Sequence, residues 1–230
     1  MKKLLLLIVL FGQLALAQIE KEVGTFNKVT SFDKIDVVLV KSTVNKVELS
    51  GSGAEDVELI NKNGELKIRM PLLKIMSGDG ISATVYFKNI DAIEANEGSR
   101  ISSNNVLEAT SFDIITKEGA EIKVKLNVSR LNVKISSGGK VYLSGKATNQ
   151  DAVLGSGAVL EAENLITTQT VITANSGAEA DVFATNLVDA KVRAGGNITV
   201  YGNPKQLNKK IIAGGSIKKD TDLSSTKDKN

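Results

Sequence analysis

The chain has 230 residues, enough for one domain with a substantial core, and contains neither cysteine nor histidine. Those two absences exclude disulfide staples, Ser-His-Asp and Cys-His catalysis, and zinc sites built on nitrogen and sulfur ligands. The net charge is only +3, with scattered lysines and 4% aromatic residues, so no basic stripe with stacking platforms marks a nucleic-acid binder.

Residues 1–17 have the form of a secretory leader. Lys2 and Lys3 make a positive start, Leu4 to Phe11 an apolar run, and Ala15-Leu16-Ala17 a cleavage site that makes Gln18 the first mature residue. The apolar run is too short to span a bilayer as a helix, and no later stretch is long enough, so no transmembrane segment is expected in the mature chain. Removing the leader takes away two of the 29 basic residues, leaving 27 against 26 acidic ones and a net charge of +1. With no cysteine at the cleavage site, the bacterial lipoprotein route is closed as well. The expected location lies beyond the inner membrane: periplasm, outer-membrane surface or secreted.

Residues 18–88 read as an N-terminal β-strand region. A polar start to about Lys28 precedes a strand opened by Phe32, Ile35, Val37 and Leu39. Val47 and Leu49 alternate in the same way and stop at the turn Gly51-Ser52-Gly53. Asn63-Gly64, between Val57-Leu59 and the alternating Glu65 to Met70, signals a hairpin, because both central residues of a type I′ turn need positive φ. Pro71 ends that strand. Leu72 to Gly80 reads as an exposed excursion, and Val85 and Phe87 as the next strand. No stretch carries a helical apolar stripe, so helix content should be very low.

Residues 89–217 hold a repeat. Its central glycines are Gly98, Gly119, Gly138, Gly157, Gly177, Gly195 and Gly214, at intervals of 21, 19, 19, 20, 18 and 19 residues. The residue after each glycine is Ser, Ala or Gly. Three residues after it stand Ile101, Ile122, Val141, Leu160, Ala180, Ile198 and Ile217, all apolar. Ala95, Ile135, Leu154, Ala174, Val192 and Ile211 keep the same phase before it. Each unit is therefore strand, glycine corner, strand, and the small following residue suits a corner stacked one strand spacing, about 4.8 Å, from the next. Asn105, Asn127, Asn164 and Asn186 mark a fainter second corner, read as a stacked asparagine ladder.

About seven coils of roughly 19 residues make a parallel β-solenoid, in which stacking buries a face that no single coil can bury. The fold class is therefore all-β, a parallel β-helix or β-solenoid of about seven coils preceded by an N-terminal β region, and the right-handed form agrees with the chirality of parallel crossovers. A propeller blade needs twice this period, and the leucine–asparagine frame of a leucine-rich repeat is absent. A β-sandwich with evenly spaced turns is the remaining alternative. Residues 218–230 are a polar tail, expected as a disordered or short exposed extension.

The order of these features resembles a known family. Phe32…Ile35-Asp36-Val37, Val47-Glu48-Leu49-Ser50-Gly51, Asn63-Gly64-Glu65-Leu66-Lys67-Ile68 and Ile90…Ile93-Glu94-Ala95…Gly98-Ser99 precede the repeated Ser-Gly-Ala and Ser-Gly-Gly corners. This pattern is similar to that of the head GIN domain family, exported proteins of Bacteroidetes-type bacteria labelled auto-transporter adhesins. The resemblance covers about residues 26–217. It implies a right-handed β-helical fold at the cell envelope and brings no catalytic residues with it.

Carboxylates are the only catalytic groups available. Glu97 and Glu118 share the position before the glycine, and Glu121 and Glu179 the position two after it. Such stacks could hold Ca²⁺ or shift one another's pKa, but no calcium-binding nonapeptide occurs, and solvated corners account for them. A polysaccharide lyase or glycosidase would need paired carboxylates in a cleft with sugar-binding aromatics. The chain has no tryptophan and three tyrosines, and its coils lack long loops; Asp113, Glu161 and Asp181 are scattered outward positions. No catalytic residue, metal or cofactor is therefore expected. Tyr142 and Tyr201, at near-equivalent outward positions, are the candidates for contact with an envelope or host glycan or a protein, and Lys123, Tyr142 and Thr199 follow one another on that face. The leading reading is an exported, non-catalytic, adhesin-like binding module. The alternatives are a carbohydrate-active β-helix enzyme and a structural envelope protein without external ligand. Oligomeric state is open.

Overall fold

Alternation with period two places apolar side chains on one side of every long strand, and the chain closes that side on itself. The structure, a computed structural model, describes residues 19–220, so the leader and the last ten residues of the tail lie outside it. Among the described residues, short strands come first: β1 (Ile19–Glu22), β2 (Lys28–Ser31), β3 (Asp36–Lys41), β4 (Lys46–Ser50), β5 (Glu58–Lys62), β6 (Glu65–Arg69), β7 (Ser82–Phe87) and β8 (Ala92–Ala95). Long bent strands follow: β9 (Arg100–Thr116), β10 (Glu121–Ile135), β11 (Lys140–Leu154), β12 (Val159–Asn175) and β13 (Glu179–Arg193). The final coil is split into β14 (Asn197–Tyr201), β15 (Gln206–Ile212) and β16 (Ser216–Lys219). From β9 to β13 each strand pairs in parallel with the next, β13 pairs with both β14 and β15, and β14 with β16, all in parallel, which makes the β-solenoid. Among the described residues the only helical pieces are two three-residue 3₁₀ turns, at Ala54–Asp56 and Leu72–Lys74.

The bends are visible in the phase of burial. In β10, Ile122, Val124, Leu126 and Val128 point inward, then Leu131, Val133 and Ile135, so the exposed pair Ser129-Arg130 turns the chain. In β11 the switch falls at Thr148-Asn149, between buried Ala147 and Gln150. Two consecutive outward residues are what reversing a period-two strand requires. Stacked in register, inward residues form columns such as Ile101–Ile122–Val141–Leu160–Ala180–Ile198–Ile217, at most 7% exposed throughout. Two adjacent columns turn polar midway. Gln150 and its register partner Thr170 are buried beside Thr167 of the next column, with Thr167 Oγ1 and Thr170 Oγ1 2.8 Å apart and Thr170 donating to Gln150 Oε1 at 3.3 Å.

At every glycine corner but that of Gly157, the residue before the glycine takes positive φ as well, as in Glu97-Gly98 (52°, 70°) and Ser137-Gly138 (52°, 75°). The turn closes on itself, with Ala120 N donating to Lys117 O at 3.1 Å, and it also binds its neighbour. Gly119 N donates to Ser137 O, and Gly138 N to Ser156 O, both at 3.0 Å. The following residue is small because the coil beneath is close: a Cβ at Gly139 would lie 3.0 Å from the Thr116 carbonyl oxygen.

Two expectations need correction here. Phe32–Ile35 is a corner rather than a strand opening: Asp33 and Lys34 take positive φ (59°, 64°) just as the glycine corners do. The asparagines do not form a ladder. Asn127 pairs with Glu108 below and Lys146 above, because bulges in the coils put each asparagine at a different level. The Asn63-Gly64 turn does join antiparallel β5 and β6, with φ of 54° and 80°. β16 runs to Lys219, two residues into the segment expected as tail.

The N-terminal strands continue the same stack in an order different from the sequence. β2 lies between β6 and β8, and β3 between β7 and β9, all in parallel. Beyond them β4 and β5 pair antiparallel with β7 and β6, and β1 antiparallel with β4. The whole forms one 16-stranded sheet among the described residues.

Candidate binding face

The limb after each glycine corner presents a flat outward face made of residues that alternate with the buried columns. One outward column runs Val38–Ser102–Lys123–Tyr142–Glu161–Asp181–Thr199–Lys218. Tyr142 therefore sits between Lys123 and Glu161, and Thr199 is separated from it by Glu161 and Asp181. Tyr201 is two residues further along its strand and pairs with Phe183, so it occupies a neighbouring column three coils on. Tyr86 projects from the same face at the other end, opposite Val40. All three tyrosines of the chain thus lie on this one face. The last limb before each corner, with outward Asp113, Asn132, Asp151, Val171 and Asp189, carries none.

The three phenols are held differently. Tyr86 donates to Glu48 Oε2 at 2.9 Å, and the Lys46 ammonium lies 4.7 Å from its ring centre while bonding Glu48 at 2.6 Å. That hydrogen bond, then burial, raises the Tyr86 pKa, and hydrogen bonds to Glu48 and Glu20 push Lys46 up to about 12. Tyr142 and Tyr201 make no hydrogen bond among the described residues. Burial and neighbouring carboxylates raise both their pKa values: Glu121 and Glu161 act on Tyr142; Asp181, Asp220 and Glu163 on Tyr201. Both stay neutral at physiological pH, as free donors with half-exposed rings.

Beside Tyr142 the face dips into an open depression of about 360 Å³ at the first bend of the coils, lined by Lys123, Lys125, Ser144, Glu161, Glu163 and Asn164 among others. The chain bends inward here because Gly145 (φ 104°) passes against the coil below, where a Cβ would lie 2.1 Å from Leu126 O. Asn164 Nδ2 donates to Glu163 Oε1 at 2.8 Å, while Glu163 Oε2 is shielded from solvent without a partner. The depression thus offers two ammonium groups, carboxylate and amide acceptors and one aromatic ring in a shallow, open setting. Such a surface can hydrogen-bond an extended ligand.

The corner carboxylates behave as a mutually repelling set. Burial raises the Glu97 pKa, and Asp33 and Glu118 add to it. Glu121 and Glu179 share a column but are separated by Lys140 and Val159. Among the described residues no three acidic side chains converge as a metal site would require. Sequence reasoning passed over Gly145 and Glu163 and read Asn164 only as a corner residue. Gly145 follows no fixed period, and the other two acquire their place only from a bulge in β12.

Comparison with known proteins agrees with this architecture. The profile of the family described as "Putative auto-transporter adhesin, head GIN domain" matches residues 25–204. Among solved structures, a putative adhesin from Bacteroides fragilis NCTC 9343 is similar with a TM-score of 0.82 at 21% identity. A putative adhesin from Parabacteroides distasonis ATCC 8503 gives 0.73 at 19%. A protein from the same organism described as a putative lipid binding protein gives 0.68 at 15%. Each comparison covers 89% of this chain and 96% of the other, and at these identities each speaks for the fold alone. No curated protein matches. With the family profile spanning most of its length, this chain belongs to the head GIN domain family.

Proposed function

We propose that this chain is an exported, non-catalytic binding module of the bacterial envelope, and that the tyrosine-bearing face of its rod contacts an extended glycan or protein ligand. The observation that carries the reading is the placement of every tyrosine of the chain on one flat outward face, two of them with unengaged hydroxyls. Rings of this kind give apolar contact and a polar handle at once. Lys123, Glu161 and Glu163 beside Tyr142 supply charge of both signs for orienting a ligand. Family membership and the leader-like residues 1–17 support export. The shallow face supports binding rather than turnover, since nothing on it encloses a reacting group.

The test has two parts. Shaving intact cells with protease locates the protein, and degradation without lysis is the expected result. A glycan array and a pull-down against envelope proteins then use the purified chain beside Tyr142→Ala and Tyr201→Ala. At least one ligand should be retained by the parent and weakened about tenfold or more by Tyr142→Ala, the cost typical of losing a contact aromatic. Equal retention of every ligand by parent and both variants would move binding off this face.

A further inference from the structure

We infer that the loop Pro71–Met76 is a lipid-contacting element that seats one end of the rod on a bilayer surface. Leu72, Leu73, Ile75 and Met76 are 76, 100, 59 and 44% exposed, four large apolar side chains within five residues. The other exposed large apolar residues are spread along the chain at 37–49%. Scattered exposure of that kind is ordinary, but a contiguous apolar tip is not.

The tip is built rather than slack. It stands where the neighbouring coil has its Asp33-Lys34 corner, and Asp33, 2% exposed, clamps it. Asp33 Oδ2 accepts Met70 N at 2.9 Å and Oδ1 accepts Met76 N at 2.7 Å. The Asp33 carbonyl accepts Gly78 N at 3.0 Å, and a Cβ at Gly78 would come within 2.4 Å of that oxygen. Within the loop, Lys74 N donates to Pro71 O at 2.7 Å, and Met76 is held at φ 62°. The buried carboxylate therefore spends both oxygens on holding apolar side chains out in water, so little ordering remains to be done on docking.

Shape and charge select the occupant. The surface is convex, and its apex carries only aliphatic and thioether groups. Arg69–Met76 includes two cations, Arg69 and Lys74, and no carboxylate. Their present partners, Glu58 at 2.8 Å and Asp56 at 2.6 Å, are solvent-exposed pairs of little strength that headgroup phosphates can replace. An apolar wedge flanked by cations matches the boundary between acyl chains and anionic headgroups. The loop leads into β7 near the capped end of the stack, four strands away from β11, so contact there leaves the part of the tyrosine face around Tyr142 free. The inference is independent of what that face binds.

The chain contains no cysteine, so Leu73→Cys accepts a single environment-sensitive dye at a fully exposed position that folding does not use. Asp189→Cys, on the other limb, is the control. The exported full chain is mixed with vesicles of phosphatidylethanolamine and phosphatidylglycerol, and of phosphatidylcholine alone. Dye at position 73 should shift to the blue and be quenched by spin-labelled lipid, more on the anionic vesicles, while dye at 189 stays unchanged. Leu72→Ser combined with Leu73→Ser should lower vesicle partitioning roughly a hundredfold. An unchanged spectrum at 73, equal shifts at 73 and 189, or a lipid-free shift that grows with protein concentration would each overturn the inference, the last pointing to a second copy instead.

Discussion

Lys209 stands directly over Ala190, in a column that is apolar and buried from Ala190 down to Leu66. Leu66, Val29, Ile93, Ile114, Val133, Ala152 and Ile172 fill the lower positions. At the last coil the phase demands an inward side chain, and the chain supplies an ammonium group, which donates to Ile217 O at 3.1 Å. Nearby Ile211 and Ile212 are 49 and 42% exposed. The stack thus has unlike ends: antiparallel β1 and β5 flank the first, and an exposed lysine in the inward phase ends the apolar column at the second.

An inward charge on an edge strand opposes the addition of further strands. Lys209→Leu should therefore expose a continuous apolar end and produce larger species in sedimentation velocity. Lys210→Leu, one residue on and outward in phase, should change the profile much less. If the two variants sediment alike, Lys209 does not guard this end.

The repeat was legible because it rests on local chemistry. Each corner needs a backbone that takes positive φ, which favours glycine, and each following position needs a small side chain, so both recur whatever the rest of the coil does. The order of the first layers was not legible. Asp33-Lys34 performs the same turn without glycine, its strain borne by bonds from Met70, Met76 and Gly78 that exist only once the chain has folded back. Nothing local shows that β2 is inserted between β6 and β8. The same distinction applies to the site. Alternation alone puts Tyr142 and Tyr201 outward, whereas the depression between Lys123 and Asn164 depends on coil bulges, and these also misplace the asparagines that looked aligned by spacing.

Acid should unfold this protein through the ion ladder of the first layers. Lys28 lies 2.6 Å from Glu94 and 3.0 Å from Glu65, and Lys117 lies 2.9 Å from Glu94. Burial disfavours ionised Glu94, but hydrogen bonds from Lys28 and Lys117 outweigh it and hold its pKa below the ordinary range. Glu65 is lowered likewise, by Thr30 and Lys28 against burial. A carboxylate with a depressed folded-state pKa contributes stability above its unfolded value, about 4.3, and loses it as pH falls through the lower folded value. Lys28 is raised by the same partners against burial, so its share holds up to about pH 10.4 and fades above. Thermal melts should be flat between these limits and fall below about pH 4. Glu94→Gln should lower neutral stability by roughly 1–3 kcal/mol and flatten the acid limb. Glu97, raised chiefly by burial, works in the opposite sense, and Glu97→Gln should stabilise at neutral pH. An acid limb in Glu94→Gln as steep as the parent's would count against the ladder.

Two glycines with left-handed backbone separate strain from space. Gly177 (φ 72°) has nothing within 4 Å of where a Cβ would stand, so Gly177→Ala should cost only the left-handed penalty, about 1–2 kcal/mol. Gly177→Asn should cost less, since asparagine tolerates that region. Gly145 (φ 104°) lies at the bend against the coil below, where a Cβ would sit 2.1 Å from Leu126 O and 3.0 Å from Leu126 N. Neither backbone atom can yield without breaking the register of β10 with β11, so Gly145→Ala should cost clearly more, roughly 3 kcal/mol or above. Because Ser144 and Tyr142 stand on the same strand beside the depression, the variant should also disturb whatever that depression binds. Denaturant melts of the three variants decide the matter: if Gly145→Ala proves no more costly than Gly177→Ala, the bend has room to relax and does not fix the floor of the site.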